Sequence, residues 1–378
     1  MEKFKKLKIL TILGTRPEII RLSCVIEKFD VYFDHILVHT GQNYDYNLNE
    51  IFFEELGIRE PDYFLNSAGY NVGETLGNII SKSYSLFSEI KPDGILILGD
   101  TNSSLSAIAA KRLKIPIFHM EAGNRCFDQN VPEELNRKIC DHTADINLVY
   151  SENSRRYLLD EGFRKDNIYL TGSPMNEVLG KYKAKIEERE VDVLKRHKIT
   201  TGGYLIASIH REENLDIGDN LQSILNALNN VAKYFNKEIV FSTHPRTKKK
   251  IDSLNLQGLN QIRFLDALGF YDYIALQKNA FLVLSDSGTI SEESAILNFP
   301  AVTIRKSIER PEAIDYGNIL LGGIDTNSII QSSIIAIKEH NESNPSITPF
   351  YQISNTSSIV TKIVSGFIQN INHFTWRK

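Results

Sequence analysis

The sequence contains little cysteine. Its three cysteines, Cys24, Cys126 and Cys140, are widely separated in 378 residues and form no CxxC pair. Disulfide frameworks and structural zinc sites need characteristic cysteine spacings, so the pattern indicates neither. Cys126 lies near a group of acidic residues, and we interpret it as a bystander thiol.

The sequence also lacks an excess of positive charge. Its formal net charge is -4 and its pI is about 6.2. Proteins that bind nucleic acid through the phosphate backbone usually carry a strongly basic face. We therefore predict no nucleic-acid partner.

A long apolar run is missing as well. The opening segment MEKFKKLKILTILG resembles a weak signal sequence, but Gly14, Thr15, Arg16 and Pro17 end its apolar run. The run is far shorter than a secretory or membrane-spanning segment requires. We interpret it as a first strand and expect a cytoplasmic protein with no membrane partner.

Neither a GxGxxG motif nor a metal-ligand pattern is present. Without GxGxxG, a dinucleotide site has no direct support, and we predict no cofactor. His210 and His244 each follow a predicted strand, but no third ligand has tight spacing. We therefore predict no metal site.

What the sequence contains is a regular alternation of short apolar strands and amphipathic helices. This order predicts an α/β fold with doubly wound parallel sheets. The first helix is expected to begin with Thr15 as N-cap and Pro17 in its first turn. The predicted strands are 7–13, 35–40, 94–98, 115–120, 145–150 and 167–170 in the first half, and 204–209, 238–243, 261–265, 281–284, 301–304 and 318–321 in the second.

The length and the order of these segments predict two domains of similar size. We place the first at 1–172 and the second at 200–350, joined by a charged, helix-prone linker that runs to about Arg196. A final helix, about 357–371, is expected to cross back onto the first domain. Two such sheets facing each other would form a cleft at their strand ends.

Acidic residues gather where the strand 115–120 opens into a loop. Glu121 follows that strand beside His119 and Arg125, and Glu133 and Glu134 come shortly after. Isolated ionised carboxylates are costly to bury, so such a cluster indicates a cleft with a cation, a partner base or a reacting proton.

Two loops could bind an anion. The first, Gly14 to Pro17, opens a helix and adds the charge of Arg16 and Arg21, although a simple helix cap with solvated arginines is an alternative. The second, Ser285 to Ile290, contains Ser287 and Gly288 and also leads into a helix.

The residues after the second loop also have two interpretations. Glu293 could accept hydrogen bonds from a ribose diol, whereas the alternative is a solvent-facing pair formed with Glu292. The following run of Arg305, Glu309 and Arg310 has the composition of a solvated charged face.

Seven motifs, in this order and across nearly the whole chain, resemble the non-hydrolysing UDP-N-acetylglucosamine 2-epimerase family: GTRPEIIRL, GDTNS, HMEAGNR, PEELNR, HREEN, DSGTISEE and ERPEA. The resemblance implies a glycosyltransferase-B-like fold with two Rossmann-like domains, a UDP-sugar bound between them, and a homodimer.

The resemblance also implies the site residues. Asp100, Glu121, Glu133 and His210 match the catalytic group. The UDP-binding positions that it implies are Arg16, Arg21, Tyr273, Ser287, Gly288, Glu293 and Arg310. Our hypothesis makes Asp100 and Glu133 the proton-transfer groups, Glu121 the electrostatic partner of the developing cation, and His210 a donor to the leaving diphosphate.

Several segments resemble one branch of the family, which makes UDP-N-acetyl-L-fucosamine from UDP-2-acetamido-2,6-dideoxy-L-talose. The ordinary branch reads EAGLRT and DSGGIQEE where this chain has EAGNRC and DSGTISEE. The branch implies supply of a capsule or O-antigen. The alternatives are conversion of UDP-N-acetylglucosamine to UDP-N-acetylmannosamine, or a glycosyltransferase that uses a UDP-sugar donor.

The chemistry favours elimination of UDP. The hydrogen on carbon two of such a sugar is not next to a carbonyl, so direct deprotonation faces a high barrier. As the bond to UDP stretches, positive charge on the anomeric carbon acidifies that hydrogen. An anion-binding loop, a carboxylate base and charge stabilisation are the groups that this route needs.

Overall fold

The computed structural model describes residues 5–42, 47–254, 257–342 and 347–378. The chain forms two compact units. The first consists of Met1–Arg125, Pro132–Gly180 and Ile353–Lys378, and the second of Cys126–Val131 and Lys181–Gln352.

The first unit is built on a seven-stranded parallel sheet. Its strands are β1 (Lys8–Leu13), β2 (Asp34–His39), β3 (Tyr63–Phe64), β4 (Gly94–Leu98), β5 (Ile117–Met120), β6 (Ile146–Val149) and β7 (Ile168–Leu170), in the spatial order β3-β2-β1-β4-β5-β6-β7. Its helices are α1 (Arg16–Tyr32), α2 (Asn47–Leu56), α3 (Val72–Ile90), α4 (Ser106–Arg112), α5 (Pro132–Thr143) and α6 (Glu152–Asp160). Short 3₁₀ turns cover Asn102–Leu105 and Lys165–Asn167.

The second unit repeats this architecture around six parallel strands. They are β8 (Tyr204–Ser208), β9 (Glu238–Thr243), β10 (Ile262–Asp266), β11 (Leu282–Ser285), β12 (Ala301–Thr303) and β13 (Leu320–Leu321), in the order β10-β9-β8-β11-β12-β13. The helices from the linker onward are α7 (Met175–Arg196), α8 (Glu212–Leu215), α9 (Asn220–Phe235), α10 (Pro245–Ser253), α11 (Phe270–Asn279), α12 (Ile290–Leu297), α13 (Pro311–Asp315), α14 (Thr326–Glu342) and α15 (Thr356–Ile371). A 3₁₀ turn covers Pro349–Tyr351, and a π-helical turn, Asn372–Trp376, follows α15.

The central strands of both sheets are largely apolar runs, as expected for parallel sheets that are buried on both faces. All five residues of β4, GILIL, are buried, as are the last five of β1. Parallel strands are covered by helices on both faces, so they read as unbroken apolar runs rather than alternating ones. Each sheet reverses its strand order beside its first strand, at β1 and β4 in one unit and at β8 and β11 in the other. Ligands of doubly wound folds bind outside the carboxyl ends of the strands at this point.

The predicted fold class is confirmed, and each predicted strand is observed with both ends within two residues of the expected positions. Thr15 is the N-cap of α1 and Pro17 lies in its first turn, as expected. The sequence analysis did not predict β3. This strand is only two residues long and lies at the sheet edge, so it leaves no alternation to detect.

The unit boundaries differ in detail from the predicted domains. Residues 126–131, which lie inside the predicted first domain, group with the second unit. The linker is the continuous helix α7, and the chain changes unit between Gly180 and Lys181. Helix α15 belongs to the first unit and packs against α1, with Ile368 next to Gly94.

The turn after β5 depends on a glycine that packs closely. Gly123 has φ +76°, and a Cβ atom there would lie 2.5 Å from the Ser154 carbonyl oxygen. Gly162 has a similar φ, +88°, but open space around it. We expect Gly162→Ala to lower the free energy of unfolding by about 1 kcal/mol, and Gly123→Ala to lower it by about 3 kcal/mol, because only the latter adds a clash to the backbone strain.

Urea unfolding followed through the single tryptophan, Trp376, measures this difference, because that residue belongs to the first unit. Equal losses in the two variants would contradict the close packing of Gly123.

Candidate active site

Two predicted catalytic carboxylates leave neighbouring strands at the same sheet edge. Asp100 follows β4 and Glu121 follows β5, and the two strands pair with Leu98 opposite Met120. The Gly99 N–H donates to the Met120 carbonyl at 2.9 Å. A Cβ atom on Gly99 would lie 3.7 Å from Glu121 Oε2. The carboxylate of Glu121 therefore lies beside the backbone that leads into Asp100.

Glu121 is held by a cation and an amide. Its side chain is buried, and Arg21 donates to its Oε2 atom in a buried ion pair. Asn124 Nδ2 lies 3.4 Å from Oε1. The backbone of Glu121 is left-handed, with φ +63°, which is uncommon for a residue with a side chain. The solvated-arginine alternative is wrong for Arg21, because that side chain is buried against Glu121.

Asp100 is held by α5. Arg137 Nε donates to Asp100 Oδ2 at 2.9 Å, and Arg137 Nη1 donates to Glu134 at 2.6 Å. Asn136 Nδ2 donates to the Asp100 carbonyl at 3.1 Å. Glu133 lies in the first turn of the same helix and is half-buried. One helix thus carries Glu133 and the two side chains that fix Asp100.

Glu18, which the sequence analysis did not single out, bridges the loops after β1 and β4. It is 1% exposed, and its carboxyl group accepts from Gly14 N at 3.0 Å, Thr15 Oγ1 at 2.8 Å and Thr101 Oγ1 at 3.1 Å. Burial raises the pKa of Glu18 to about 7, although these hydrogen bonds favour its charged form. Arg16, in the same loop region, is half-buried, and its guanidinium carbon lies 5.8 Å from the centre of the Phe52 ring.

In the second unit, a buried aspartate organises the loop that carries His210. Asp286 follows β11 and accepts from the backbone N–H groups of His210 and Arg211 at 2.9–3.1 Å, and from Asn214 Nδ2 at 3.0 Å. His210 Nδ1 lies 3.1 Å from Asp286 Oδ1. Burial alone would raise the pKa of Asp286, but His210 and these donors hold it below its usual value.

The charged run after β12 is buried rather than solvated. Arg305, Glu309 and Arg310 are each less than 5% exposed. Arg305 Nη1 donates to Glu309 at 2.5 Å, and Glu309 also accepts from Arg211 at 2.6 Å. The expectation of a solvated face is therefore wrong. The sequence alone does not show that a partner such as Arg211 comes from a distant loop.

The glutamate pair of α12 is also buried rather than solvated. Glu292 is fully buried and forms an ion pair with Arg310. Glu293 is also buried and accepts from Gln277 Nε2 at 2.8 Å. The alternative of a solvent-facing pair is wrong, because both carboxylates point into protein.

The turn before α12 brings the remaining predicted positions together. Ser287 Oγ lies 2.9 Å from Thr289 Oγ1, and a Cβ atom on Gly288 would lie 3.2 Å from Arg211 Nη2. Tyr273, on α11, lies near Ser208 and Ser285 at the ends of β8 and β11. Burial and the nearby Glu293 raise the pKa of Tyr273. The hydroxyl, glycine and arginine groups at this strand edge suit a phosphate.

Two further observations concern metals and membranes. The rings of His210 and His244 are 6.4 Å apart, centre to centre, but no cluster of three or more His, Cys, Asp or Glu side chains in the described part of the chain could hold a metal ion. Within the same ranges, no helix combines the length and apolar character needed to cross a bilayer.

Comparison with known proteins identifies the family to which this fold belongs. Residues 27–365 match the UDP-N-acetylglucosamine 2-epimerase family model. The structure of UDP-N-acetylglucosamine 2-epimerase from Rickettsia bellii is 46% identical, covers 99% of this chain and 100% of its own, and superposes with a TM-score of 0.91.

Two further relatives are similar over most of the chain. The Methanocaldococcus jannaschii UDP-GlcNAc 2-epimerase, in complex with UDP-GlcNAc and UDP, is 32% identical over 95% of this chain and 99% of its own, with a TM-score of 0.89. The Pseudomonas aeruginosa UDP-2,3-diacetamido-2,3-dideoxy-D-glucuronate 2-epimerase is 34% identical over 86% of this chain and 91% of its own.

The chain therefore belongs to the UDP-N-acetylglucosamine 2-epimerase family. It is an isomerase, a UDP-sugar 2-epimerase, with the two-sheet architecture of that family. The family resemblance found in the sequence is confirmed at this level.

The raised pKa of Glu18 predicts a pH-dependent stability. Because the folded pKa exceeds the unfolded value of 4.5, stability is highest when Glu18 is protonated and falls as the pH rises from 4.5 to about 7. Relative to Glu18→Gln, which stays neutral, the wild-type protein should lose about 3 kcal/mol over this range and no more above it.

Urea unfolding at several pH values measures the difference between the two proteins. Glu27→Gln, which changes an exposed carboxyl group on the same helix, is the control and should keep the wild-type pH dependence. Parallel curves for wild type and Glu18→Gln would contradict the raised pKa.

Proposed function

We propose that this protein inverts carbon two of a UDP-2-acetamido sugar by eliminating UDP and adding it back. The observation that carries the proposal is the placement of Asp100 and Glu121 at adjacent strand ends, each beside an arginine. The arginine beside each carboxylate orients it and stabilises its negative charge. An ionised carboxylate is the base that elimination requires.

The proposed reaction begins with cleavage of the bond between the anomeric carbon and the diphosphate oxygen. UDP leaves with the bonding electron pair, and the proton on carbon two passes to a carboxylate. The product is a glycal with a double bond between carbons one and two. A proton then returns to the opposite face of carbon two, and a diphosphate oxygen re-forms the bond to carbon one. No net oxidation or reduction occurs.

We assign Asp100 and Glu133 to the two proton transfers and Glu121 to the stabilisation of positive charge on the anomeric carbon. The arginine contact of Asp100 orients its carboxylate, and 19% of that side chain remains accessible. Glu121 suits an electrostatic role because it is buried and already paired.

His210 is assigned to the leaving diphosphate. Its Nδ1 atom lies 3.1 Å from Asp286 Oδ1, which orients the ring, and we assign its Nε2 atom to the diphosphate.

We assign UDP binding to Arg16, Arg21, Tyr273, Ser287, Gly288, Glu293 and Arg310. The support is that they lie in the loops or helices that directly follow β1, β10, β11 and β12, since doubly wound folds bind nucleotides outside the carboxyl ends of their strands. In the present structure Arg21 donates to Glu121 and Glu293 accepts from Gln277. Binding of UDP by these two residues would therefore add to, or exchange, those partners. We also propose that the active form is a homodimer.

For the sugar, we propose UDP-2-acetamido-2,6-dideoxy-L-talose, converted to UDP-N-acetyl-L-fucosamine for a capsule or O-antigen. The support is Asn124, the residue that distinguishes EAGNRC from EAGLRT. Its amide reaches Glu121, and its Oδ1 atom accepts from Ser154 Oγ at 2.9 Å. A leucine at this position could make neither contact, so the sequence difference alters the surroundings of a proposed catalytic carboxylate.

The second candidate is UDP-N-acetylglucosamine, converted to UDP-N-acetylmannosamine. It is favoured by the names of the relatives, since the Rickettsia bellii protein is described as a UDP-N-acetylglucosamine 2-epimerase and the Methanocaldococcus jannaschii enzyme was crystallised with that sugar nucleotide.

Incubation of the purified protein with each UDP-sugar in deuterium oxide distinguishes these candidates. For the true substrate, we expect NMR to show the epimer and deuterium at carbon two, because the returning proton comes from a group that exchanges with solvent. We expect turnover of the 6-deoxy talose compound to exceed that of UDP-N-acetylglucosamine. The reverse order would overturn the assignment of the sugar, and an epimer without deuterium would argue against elimination with an exchangeable base.

If Asp100 and Glu133 transfer protons, replacing either residue should slow the reaction at carbon two without weakening UDP binding. Asp100→Asn and Glu133→Gln should each slow deuterium exchange at carbon two by about 10²- to 10⁴-fold, the usual contribution of a general acid or base. The affinity for UDP, measured by calorimetry, should stay within about threefold of wild type, since a threefold change is less than 1 kcal/mol.

Asp93→Asn is the matched control. Asp93 precedes β4 as Asp100 follows it, and it accepts from Lys8 N at the opposite sheet edge. Its replacement should leave exchange unchanged. Undiminished exchange in Asp100→Asn or Glu133→Gln would contradict the role of that residue.

A further inference from the structure

A buried network of charges lies directly behind the two carboxylate loops of the first unit. His119, on β5, and Asp141, on α5, are both fully buried. Arg125 donates to Asp141 at 2.7 Å and to Glu161 at 2.7 Å. The network alternates in sign, so its charges compensate one another, and only Glu161, at its outer end, is exposed among these four residues.

Its hydrogen bonds define the protonation of His119. Nε2 lies 2.8 Å from the Gly99 carbonyl oxygen, and Nδ1 lies 2.9 Å from Asp141 Oδ1. A carbonyl only accepts, so Nε2 donates. Asp141 also accepts from Arg125 and from Gly123 N, which requires its anionic form, so Nδ1 donates too. His119 is therefore a buried imidazolium.

The electrostatic environment agrees with this geometry. Burial alone would lower the pKa of His119, but Cys140 and Asp141 raise it well above its usual value. Burial alone would raise the pKa of Asp141, but His119 and Arg125 hold it below its usual value.

The partners of the pair are the backbones on either side of the carboxylates. Gly99 immediately precedes Asp100, and Gly123 lies two residues after Glu121. The three residues Gly99, Glu121 and Gly123 all have left-handed backbones, with φ of +72°, +63° and +76°. A left-handed Glu121 is strained and persists only if the surrounding structure holds it. One histidine–aspartate pair therefore restrains both loops at once.

We propose that His119 and Asp141 are positioning residues for epimerisation, which fix the Asp100 and Glu121 loops relative to each other through the Gly99 carbonyl and the Gly123 N–H. This inference rests on the proposed roles of the two carboxylates. Neither residue touches the sugar. Their effect is on the geometry of proton transfer rather than on UDP binding.

The test compares His119→Ala, His119→Gln and Asp141→Asn with a control at Asp145, which precedes β6 and contacts the first residue of β5. Asp145, at the opposite end of β5, is also buried and accepts from Ile117 N at 2.9 Å and Lys111 Nζ at 2.6 Å. Asp145→Asn thus removes a buried charge and disturbs the same strand away from the carboxylate loops. All proteins are assayed well below their melting temperatures for kcat, KM, UDP affinity and deuterium exchange at carbon two.

We expect kcat and exchange in His119→Ala and Asp141→Asn to fall about 100-fold, the effect of a misplacement of roughly 1 Å, with KM and UDP affinity within about threefold. His119→Gln should lose only about tenfold, because the glutamine amide can still donate to the Gly99 carbonyl. Asp145→Asn should lower the melting temperature but keep kcat within about twofold.

Three results would overturn the inference: wild-type kcat in folded His119→Ala, equal losses of kcat in Asp145→Asn and Asp141→Asn, or a loss confined to UDP affinity. If His119→Ala does not fold, the inference is overturned when His119→Gln and folded Asp141→Asn both have wild-type kcat. Failure of the proposed function looks different, because the wild-type protein itself would then show no exchange at carbon two.

Discussion

The structure depends on the donors that hold carboxylates in place where the parallel strands end. Burial disfavours the charged form of a carboxylate whose partners are all neutral, as the raised pKa of Glu18 illustrates. Asp100 and Glu121 have charged donors instead: arginines from two helices, α5 and α1, contact them. The helices that cover the sheet therefore also supply the charges that hold its reactive edge.

The second unit also places a carboxylate with several donors where a parallel strand ends. Asp286, at the end of β11, is fully buried and remains anionic because His210, two backbone N–H groups and Asn214 surround it. Glu292, in α12, is also buried and forms an ion pair with Arg310. Buried pairs of this kind contribute little net stability, but removing one partner is costly. They make the loops at the strand ends rigid, which suits a site that must orient a diphosphate.

The successes and errors of the sequence-based predictions have physical causes. Apolar runs such as GILIL predicted the strands because burial on both faces leaves a local signal. Asp100 and Glu121 were expected at one sheet edge because both follow predicted parallel strands, and the pairing of β4 with β5 places them there. The run from Arg305 to Arg310 was misinterpreted as solvated, since its partners Glu213, Arg211 and Glu292 are distant in sequence.

By itself, the sequence determined the fold class, the family and the acidic residues available for chemistry, because periodicity and ordered motifs are properties of neighbouring residues. Only the tertiary structure decided which charges are buried and which groups hold them. His119 illustrates the division. In the sequence it is one polar residue in an apolar strand, and in the fold it is an imidazolium between Gly99 and Asp141. Protonation and orientation depend on partners that only packing brings within hydrogen-bonding distance.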